Sequence, residues 1–110
     1  MALNDAAKNL MLTEFASSAT HMALFDETQT EITGGTYARQ ALTWGTASSG
    51  AISITNQPSF DIPASTTVGD VRFFSALTGG TEYGIYDTVD ETFSNAGTYT
   101  ITSATVDLNK

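Results

Sequence analysis

Residues 98–108, TYTITSATVDL, decide how the end of this chain is placed in a β-sheet fold. The apolar side chains of the first half share one parity and those of the second half share the other: Tyr99 and Ile101, then Ala104, Val106 and Leu108. Successive side chains of a strand point to opposite faces of a sheet, so one straight strand would send these two sets to opposite faces. The stretch therefore predicts a bulge or a change of partner sheet near residues 102–103.

Upstream of this stretch, further short segments have the composition of β-strands. They are rich in β-branched and aromatic residues and are separated by glycine, asparagine, serine and proline: 20–25, 36–44, 51–55, 59–63, 70–77 and 82–89. Strands of this length and spacing predict a mainly β fold, a single antiparallel β-sandwich of immunoglobulin-like or jelly-roll-like type. Pro63 has no N–H to give to a ladder, which limits its segment to a sheet edge or to a strand end.

The first residues show a helical period instead. One apolar stripe recurs at steps of three and four residues: Leu3, Ala7, Leu10, Met11 and Phe15. This pattern predicts one α-helix over residues 3–15 with Asn4 as its N-cap, and it divides the chain into an N-terminal helix or arm, 1–18, and a β-sandwich domain, 19–110. Such a helix either closes one end of its own sandwich or docks on a neighbouring subunit. We expect it to dock.

The charge of the chain restricts its partners. Twelve acidic and four basic residues give a net charge of -8, and only 15% of the residues are charged, below the usual proportion of roughly a quarter. The basic residues are widely separated along the chain: Lys8, Arg39, Arg72 and Lys110. Nucleic acid and anionic membrane surfaces both require clustered cations, so neither is expected as a partner. No apolar run approaches the roughly 20 residues of a membrane span, and we expect a soluble product.

The residues that support catalysis are scarce. The chain has no cysteine, its one histidine is His21, and it contains no G-x-S-x-G elbow. The two TGGT turns precede neither a helix nor a lysine, unlike a phosphate loop. We therefore expect neither an enzyme nor a cofactor. The acidic loops 26–31 and 87–91 leave open whether a cation binds there.

The stretch 34–44, GGTYARQALTW, allows two interpretations, a ligand platform or a turn followed by a strand. Strand alternation would turn Tyr37 and Arg39 outward and Leu42 and Trp44 inward, which favours the structural interpretation. Arg39 could then pair with a carboxylate of the same or of another subunit. The expected core residues are Leu24, Leu42, Trp44, Phe60, Phe74, Tyr99 and Ile101. The expected protein-interface residues are Leu3, Leu10, Met11, Phe15, Tyr37 and Arg39.

Several stretches also resemble a known family when they are taken in order. They are MALNDAAKNLML (1–12), ATHMALF (19–25), GGTYARQALTW (34–44), VRFFSALTGGTEYG (71–84) and ETFSNAGTYTIT (91–102). This order is similar to that of small bacteriophage structural proteins, which include tail-fibre-like, minor tail and capsid decoration proteins. The resemblance implies a β-sandwich virion component without catalysis. Members of the family commonly have a longer loop between Phe25 and Ile32, so no contact of that loop is carried over.

These observations together predict a capsid decoration or cement protein that binds the outer shell and stabilises subunit boundaries. A compact domain lacks the long shaft of a receptor-reaching fibre, and an acidic surface suits the outside of a shell, away from DNA. The expected partners are the major capsid protein or other virion proteins, and we expect a homo-oligomer such as a trimer in the virion, assembled in the host cytoplasm. A tail or tail-fibre-associated protein is the first alternative, and a glycan-binding module for the host surface is the second.

Overall fold

The computed structural model describes residues 2–87 and 90–109, which form one helix followed by nine strands. The elements in chain order are α1 (Asp5–Ser18), β1 (His21–Asp26), β2 (Gln40–Ala41), β3 (Ala51–Ser53), β4 (Ser59–Ile62), β5 (Thr66–Phe74), β6 (Glu82–Asp87), β7 (Glu91–Phe93), β8 (Gly97–Thr100) and β9 (Thr105–Asp107). Every strand pair in the described residues is antiparallel. The predicted mainly β fold with one N-terminal helix is confirmed.

The largest sheet is built around β5. Strands β2, β1, β5 and β6 lie side by side in that order, and β7 pairs with the first half of β5. In the β1–β5 ladder Leu24 faces Val71, and the register shifts after Phe25. A side chain at Gly69 would place its Cβ 2.6 Å from the carbonyl oxygen of Asp26, so glycine is required where the two strands pass at this irregularity.

The remaining strands form two short ladders, β3 with β9 and β4 with β8. The chain therefore leaves the β4 ladder at the end of β8 and joins the β3 ladder at the start of β9, with residues 101–104 between them outside any strand. The change of partner predicted near residues 102–103 is confirmed. Strand β4 ends at Ile62, directly before Pro63, as predicted for a proline that cannot donate to a ladder.

The main core cluster joins these parts of the chain. Its buried side chains come from β1 and β5, from β4, and from the segments beside the short ladders: Met22, Leu24, Val68, Val71, Phe73, Phe60, Ile62, Ile54, Ile101 and Ala104. Of the residues expected in the core, Leu24, Phe60 and Ile101 are buried here, while Leu42, Trp44 and Tyr99 are half-buried against the cluster. Phe74 is buried as well, but in a second cluster with Ala23 and Phe25.

The helix has the predicted N-cap, but it covers Asp5–Ser18 instead of 3–15 and packs on the body with a different stripe. The side chain of Asn4 accepts a hydrogen bond of 2.9 Å from the amide of Ala7, which confirms the N-cap. The buried side is formed by Leu12 and Phe15, whereas Leu10 is 73% exposed. The prediction of a single apolar stripe was wrong, because the helix has two. The stripe that contains Phe15 packs on the core, and the stripe that contains Leu10 is exposed.

The stretch 36–44 is not a continuous strand. Only Gln40–Ala41 belongs to β2, and Trp44 makes an isolated bridge to Ile54. Gly34 and Gly35 have φ angles of 108° and 58°, which glycine adopts readily, and they start a turn that continues to Tyr37. Strand alternation therefore does not apply to residues 36–39. The predicted strand 82–89 ends at residue 87 in the structure, and its last two positions lie outside the described residues.

Candidate interaction surfaces

Arg39, expected to point outward, is folded into the protein, with its side chain 8% exposed. Its Nε donates a hydrogen bond of 2.9 Å to Oε2 of Glu31, and its Nη2 donates another of 2.9 Å to Oε1. Its Nη1 donates to the carbonyl oxygens of Ala76 and Gly79, at 3.1 and 2.7 Å. The guanidinium carbon also lies 3.9 Å from the centre of the Phe74 ring. The outward orientation was therefore wrong, and the carboxylate partner of Arg39 belongs to its own chain.

Arg72 repeats this arrangement on the same sheet. Its Nε and Nη2 donate to the two carboxylate oxygens of Asp70 at 2.7 and 3.0 Å, and its Nη1 donates to Glu82 at 3.0 Å. The guanidinium carbon lies 3.9 Å from the centre of the Phe25 ring. Both arginines of the chain are thus held by carboxylates and by aromatic rings.

The two phenylalanines connect these ion pairs into one group, the arginine–phenylalanine cluster, which consists of Arg39, Arg72, Phe25, Phe74 and the carboxylates of Glu31, Asp70 and Glu82. The two rings are stacked at 5.9 Å with 6° between their planes. Each ring has one guanidinium over it, a favourable contact for a cation and a π-system. Because its members bind one another, the cluster leaves neither arginine available to a partner.

The hydrogen bonds of the cluster shift the acidities of its members. Burial raises the pKa of Glu31, but the hydrogen bonds from Arg39 and Tyr37 outweigh it and leave that pKa below its usual value. The hydrogen bond to Glu31 raises the pKa of Arg39, and the bond to Asp70 raises that of Arg72. The Glu31–Arg39 ion pair therefore remains charged across the neutral range.

Tyr37, also expected at an interface, is half-buried and serves the fold. Its hydroxyl accepts a hydrogen bond of 2.9 Å from the amide of Leu24 and donates one of 3.0 Å to Glu31. Its ring stacks on Phe60 with the centres 6.2 Å apart. Burial raises the pKa of Tyr37. A cleft of about 410 Å³ lies beside Tyr37 and Arg39 and has Leu77 on its rim, but these two polar side chains are already engaged within the chain.

The helix presents the other predicted interface. Leu3, Leu10 and Met11 are 37%, 73% and 49% exposed, and we call these three residues the helix ridge. Phe15, the fourth apolar residue expected to dock, is turned inward: its ring contacts Trp44 and Phe73 edge-on, with centres 5.7 and 5.5 Å apart. Phe15 therefore attaches the helix to the body instead of meeting a partner.

Polar contacts hold the same helix against the β3–β9 ladder. Asn9 accepts a hydrogen bond of 3.0 Å from the amide of Gly50, and Lys8 donates one of 2.8 Å to the side chain of Asn109. The helix ridge is therefore exposed on a helix whose position is fixed by hydrogen bonds to the rest of the chain.

The residues considered for chemistry have structural partners. The ring Nδ1 of His21 lies 2.9 Å from the hydroxyl of Thr20. In the loop 26–31 one oxygen of Asp26 accepts bonds from the amide and hydroxyl of Thr28 and from the amide of Thr30, which close the turn and lower the pKa of Asp26. The second acidic loop, 87–91, lies partly outside the described residues. Among those described, no group of acidic, histidine or cysteine side chains has the arrangement of a metal site.

Sequence reasoning missed the arginine–phenylalanine cluster, although part of it was visible. Asp70, Arg72 and Phe74 share one parity in β5, which predicts a charged and aromatic row on one face. Phe25 and Glu31 come from distant positions and join the row only through the register of β1 and the turn after it.

No helix among the described residues has the length and apolar character required to cross a membrane.

Comparison of the chain with protein-family models, curated proteins and solved structures finds no match in any of the three. The resemblance to small bacteriophage structural proteins therefore stays a prediction.

Proposed function

We propose that this chain is a non-enzymatic structural component of a bacteriophage virion, a capsid decoration or cement protein that binds the outer shell and stabilises subunit boundaries. The helix ridge carries this proposal. Its residues Leu10 and Met11 are exposed on a helix whose opposite side is fixed by Phe15. Exposed apolar side chains on a rigid element are typical of a docking surface.

Burial of this ridge would supply the attachment energy. Covering one large aliphatic side chain contributes roughly 1.5 to 3 kcal/mol, so the ridge alone provides a weak contact. Repetition of a weak contact over many copies, or through an oligomer, strengthens attachment without further contacts in each copy. We propose a cyclic homo-oligomer, of which a trimer would match the three-fold axes of a shell.

The charges support a position on the outside of a shell. The net charge is -8, and the two arginines are neutralised within the arginine–phenylalanine cluster. Lys8 donates to Asn109, and Lys110 lies outside the described residues. A surface with so little available positive charge would be repelled by packaged DNA and tolerated on an outer face.

The sandwich predicted from the sequence is part of the same proposal. We propose that the five-stranded sheet and the two short ladders form one β-sandwich, because the main core cluster buries side chains of β1, β5 and β4 and packs against Val106 of β9.

Quantification of this chain in purified particles tests the proposal. A decoration protein is present in many copies over the head, and images of the particle would show its density on the outer shell. A few copies at the tail would replace the head assignment with the alternative of a tail or tail-fibre-associated protein. Absence from purified particles would overturn both assignments.

A glycan-binding module is the second candidate, since Tyr83 and Tyr86 are 42% and 37% exposed. Partly exposed aromatic rings stack on sugars in many carbohydrate sites. Saturable binding on a glycan array, lost in Tyr83→Ala, would favour this candidate over the structural one. A flat response across the array would exclude it for the glycans present.

A further inference from the structure

One gap in the protein lies between two strand edges, neither of which is paired with another strand. Within residues 2–87 and 90–109, β6 pairs with β5 alone and β9 pairs with β3 alone. A cavity of about 380 Å³ lies between β6 and β9, and we call it the β6–β9 gap. Its lining is largely apolar and includes Phe15, Phe73, Tyr83, Ile85, Tyr86 and Val106. The gap thus combines unused main-chain hydrogen-bonding groups with an apolar floor.

The irregular pairing of β6 shapes this gap. Tyr83 and Tyr86 are three residues apart and would point to opposite faces of a regular strand. Register shifts in the β5–β6 ladder bring both rings to the same aromatic group. The ring centres of Tyr83 and Phe15 are 6.2 Å apart, and those of Tyr86 and Phe73 are 6.0 Å apart. Bulges of this kind commonly re-aim side chains beside binding sites.

The edge of β6 also lacks the residues that usually protect such an edge. Residues 83–86, YGIY, contain neither a charge nor a proline, and Ile85 is 49% exposed. Lysine, proline, inward-pointing charges and β-bulges guard exposed edges in natural proteins; β6 has bulges, but residues 83–86 have none of the other three. The occupant that fits this edge is therefore an extended chain segment.

The charges around the gap argue against a second copy as that occupant. Glu82 begins β6 and Asp107 ends β9, so a strand that fills the gap lies beside acidic residues and is stabilised by cations of its own. Of the nine described strands only β5 contains a cation, Arg72, and that residue is buried in the arginine–phenylalanine cluster.

We propose that the β6–β9 gap binds an extended segment of a different protein, which adds a strand to β6. That segment inserts apolar side chains between Tyr83 and Val106 and carries lysine or arginine at its ends, opposite Glu82 and Asp107. Main-chain bonds would supply affinity and the apolar floor would supply selectivity, as in other cases of strand addition. The inference does not depend on the virion assignment, since it follows from the edges, the gap and the charges alone.

A labelled peptide of about ten residues, the length of a β-strand, tests this inference. It alternates valine with threonine and has lysines at both ends. We expect saturable binding by fluorescence anisotropy and amide shifts confined to β6, β9 and the helix residues around Phe15. The same peptide with glutamates at its ends should bind about tenfold more weakly or not at all, and so should one with alternate amides N-methylated.

Matched variants locate the site. Ile85→Lys places a charge on the β6 edge and should abolish binding, whereas Leu77→Lys makes the same charge change at an exposed leucine outside the gap and should retain it. Circular dichroism checks that both variants fold, which we expect because both side chains are exposed. Binding that ignores the peptide ends, the N-methyl groups or Ile85→Lys would overturn the proposal. It would also be overturned by an absence of binding, or by a dimer in light scattering that Ile85→Lys abolishes, since the occupant would then be a second copy.

Discussion

The helix ridge and the turn at residues 34–39 are both predicted to face a partner, but in the structure only the ridge is exposed. Leu10 and Met11 remain exposed, whereas Arg39 is buried and Tyr37 is half-buried. The difference lies in what each side chain finds within its own chain. Arg39 meets a carboxylate, two carbonyl oxygens and an aromatic ring, while the apolar residues of the ridge face away from the core.

This comparison has a general physical reason. In a chain with twelve acidic and four basic residues, an arginine has many carboxylates of its own available to it. Burial of such a side chain is tolerated only when it is paired and hydrogen-bonded, and both arginines satisfy that condition. A rare basic residue in an acidic chain is therefore weak evidence for an interface.

The largest effect is expected for Trp44, which holds the helix against the body. Its indole N–H donates a hydrogen bond of 2.8 Å to the carbonyl of Ala19, and its ring packs against Phe15 and Phe73. Trp44→Ala should lower the free energy of unfolding by about 4 kcal/mol or prevent folding, as large-to-small core changes do. Urea unfolding followed by circular dichroism measures this. A fully stable variant that lost only partner binding would show that Trp44 belongs to an interface.

The next effect concerns Arg39. Arg39→Ala removes the Arg39 donor from the carbonyls of Ala76 and Gly79 and from Glu31, which keeps the bond from Tyr37, and it should cost about 3 kcal/mol in chemical unfolding. Arg39→Lys keeps the charge without the two parallel bonds and should fall between this variant and the wild type. If Arg39→Ala unfolds like the wild type, the contrast between the two regions is wrong.

A smaller effect is expected from pH. The pKa of Glu31 is lower in the folded protein than its ordinary value of about 4.3, so its ion pair stabilises the fold above that pH. The contribution should disappear as the pH falls through the folded-state pKa, because the carboxyl is then protonated in both states. Glu31→Gln should flatten this part of the stability profile. Asp26, whose pKa is also lowered, requires a parallel Asp26→Asn measurement. An unchanged profile in Glu31→Gln would contradict the assigned role of the pair.

The smallest effect on stability is expected at the helix ridge. The double substitution Leu10→Ser and Met11→Ser should change the free energy of unfolding by less than about 1 kcal/mol, because exposed side chains contribute little to folding. Phe15→Ala on the same helix is the matched comparison and should cost about 3 kcal/mol through its lost ring contacts. Equal costs for the two variants would mean that the ridge is part of the core.

Much of the fold was readable from local patterns. The parity break at residues 102–103, the strand end before Pro63 and the cap at Asn4 each depend on neighbouring residues alone, and each was predicted. The stretch 36–44 is not the single strand that its alternation predicts, because the turn that starts at Gly34 and Gly35 continues to Tyr37.

The candidate sites were less predictable because they depend on contacts between distant segments. Glu31 pairs with Arg39 only once the turn after β1 is in place, and Phe25 stacks on Phe74 only in the register of β1 with β5. The helix offered two apolar stripes, and the packing of Phe15 against Trp44 and Phe73 selected one of them. The β6–β9 gap likewise requires two strands that the sequence separates.

The attachment of the ridge variant to capsids tests the central claim most directly. Particles lacking this chain would be incubated with the wild type or with the Leu10→Ser and Met11→Ser double variant, and bound copies would be counted after sedimentation. We predict that the wild type occupies the head in many copies and that the variant, folded to the same stability, is lost from it. Equal occupancy by the two proteins would contradict the assignment of the helix ridge as the docking face.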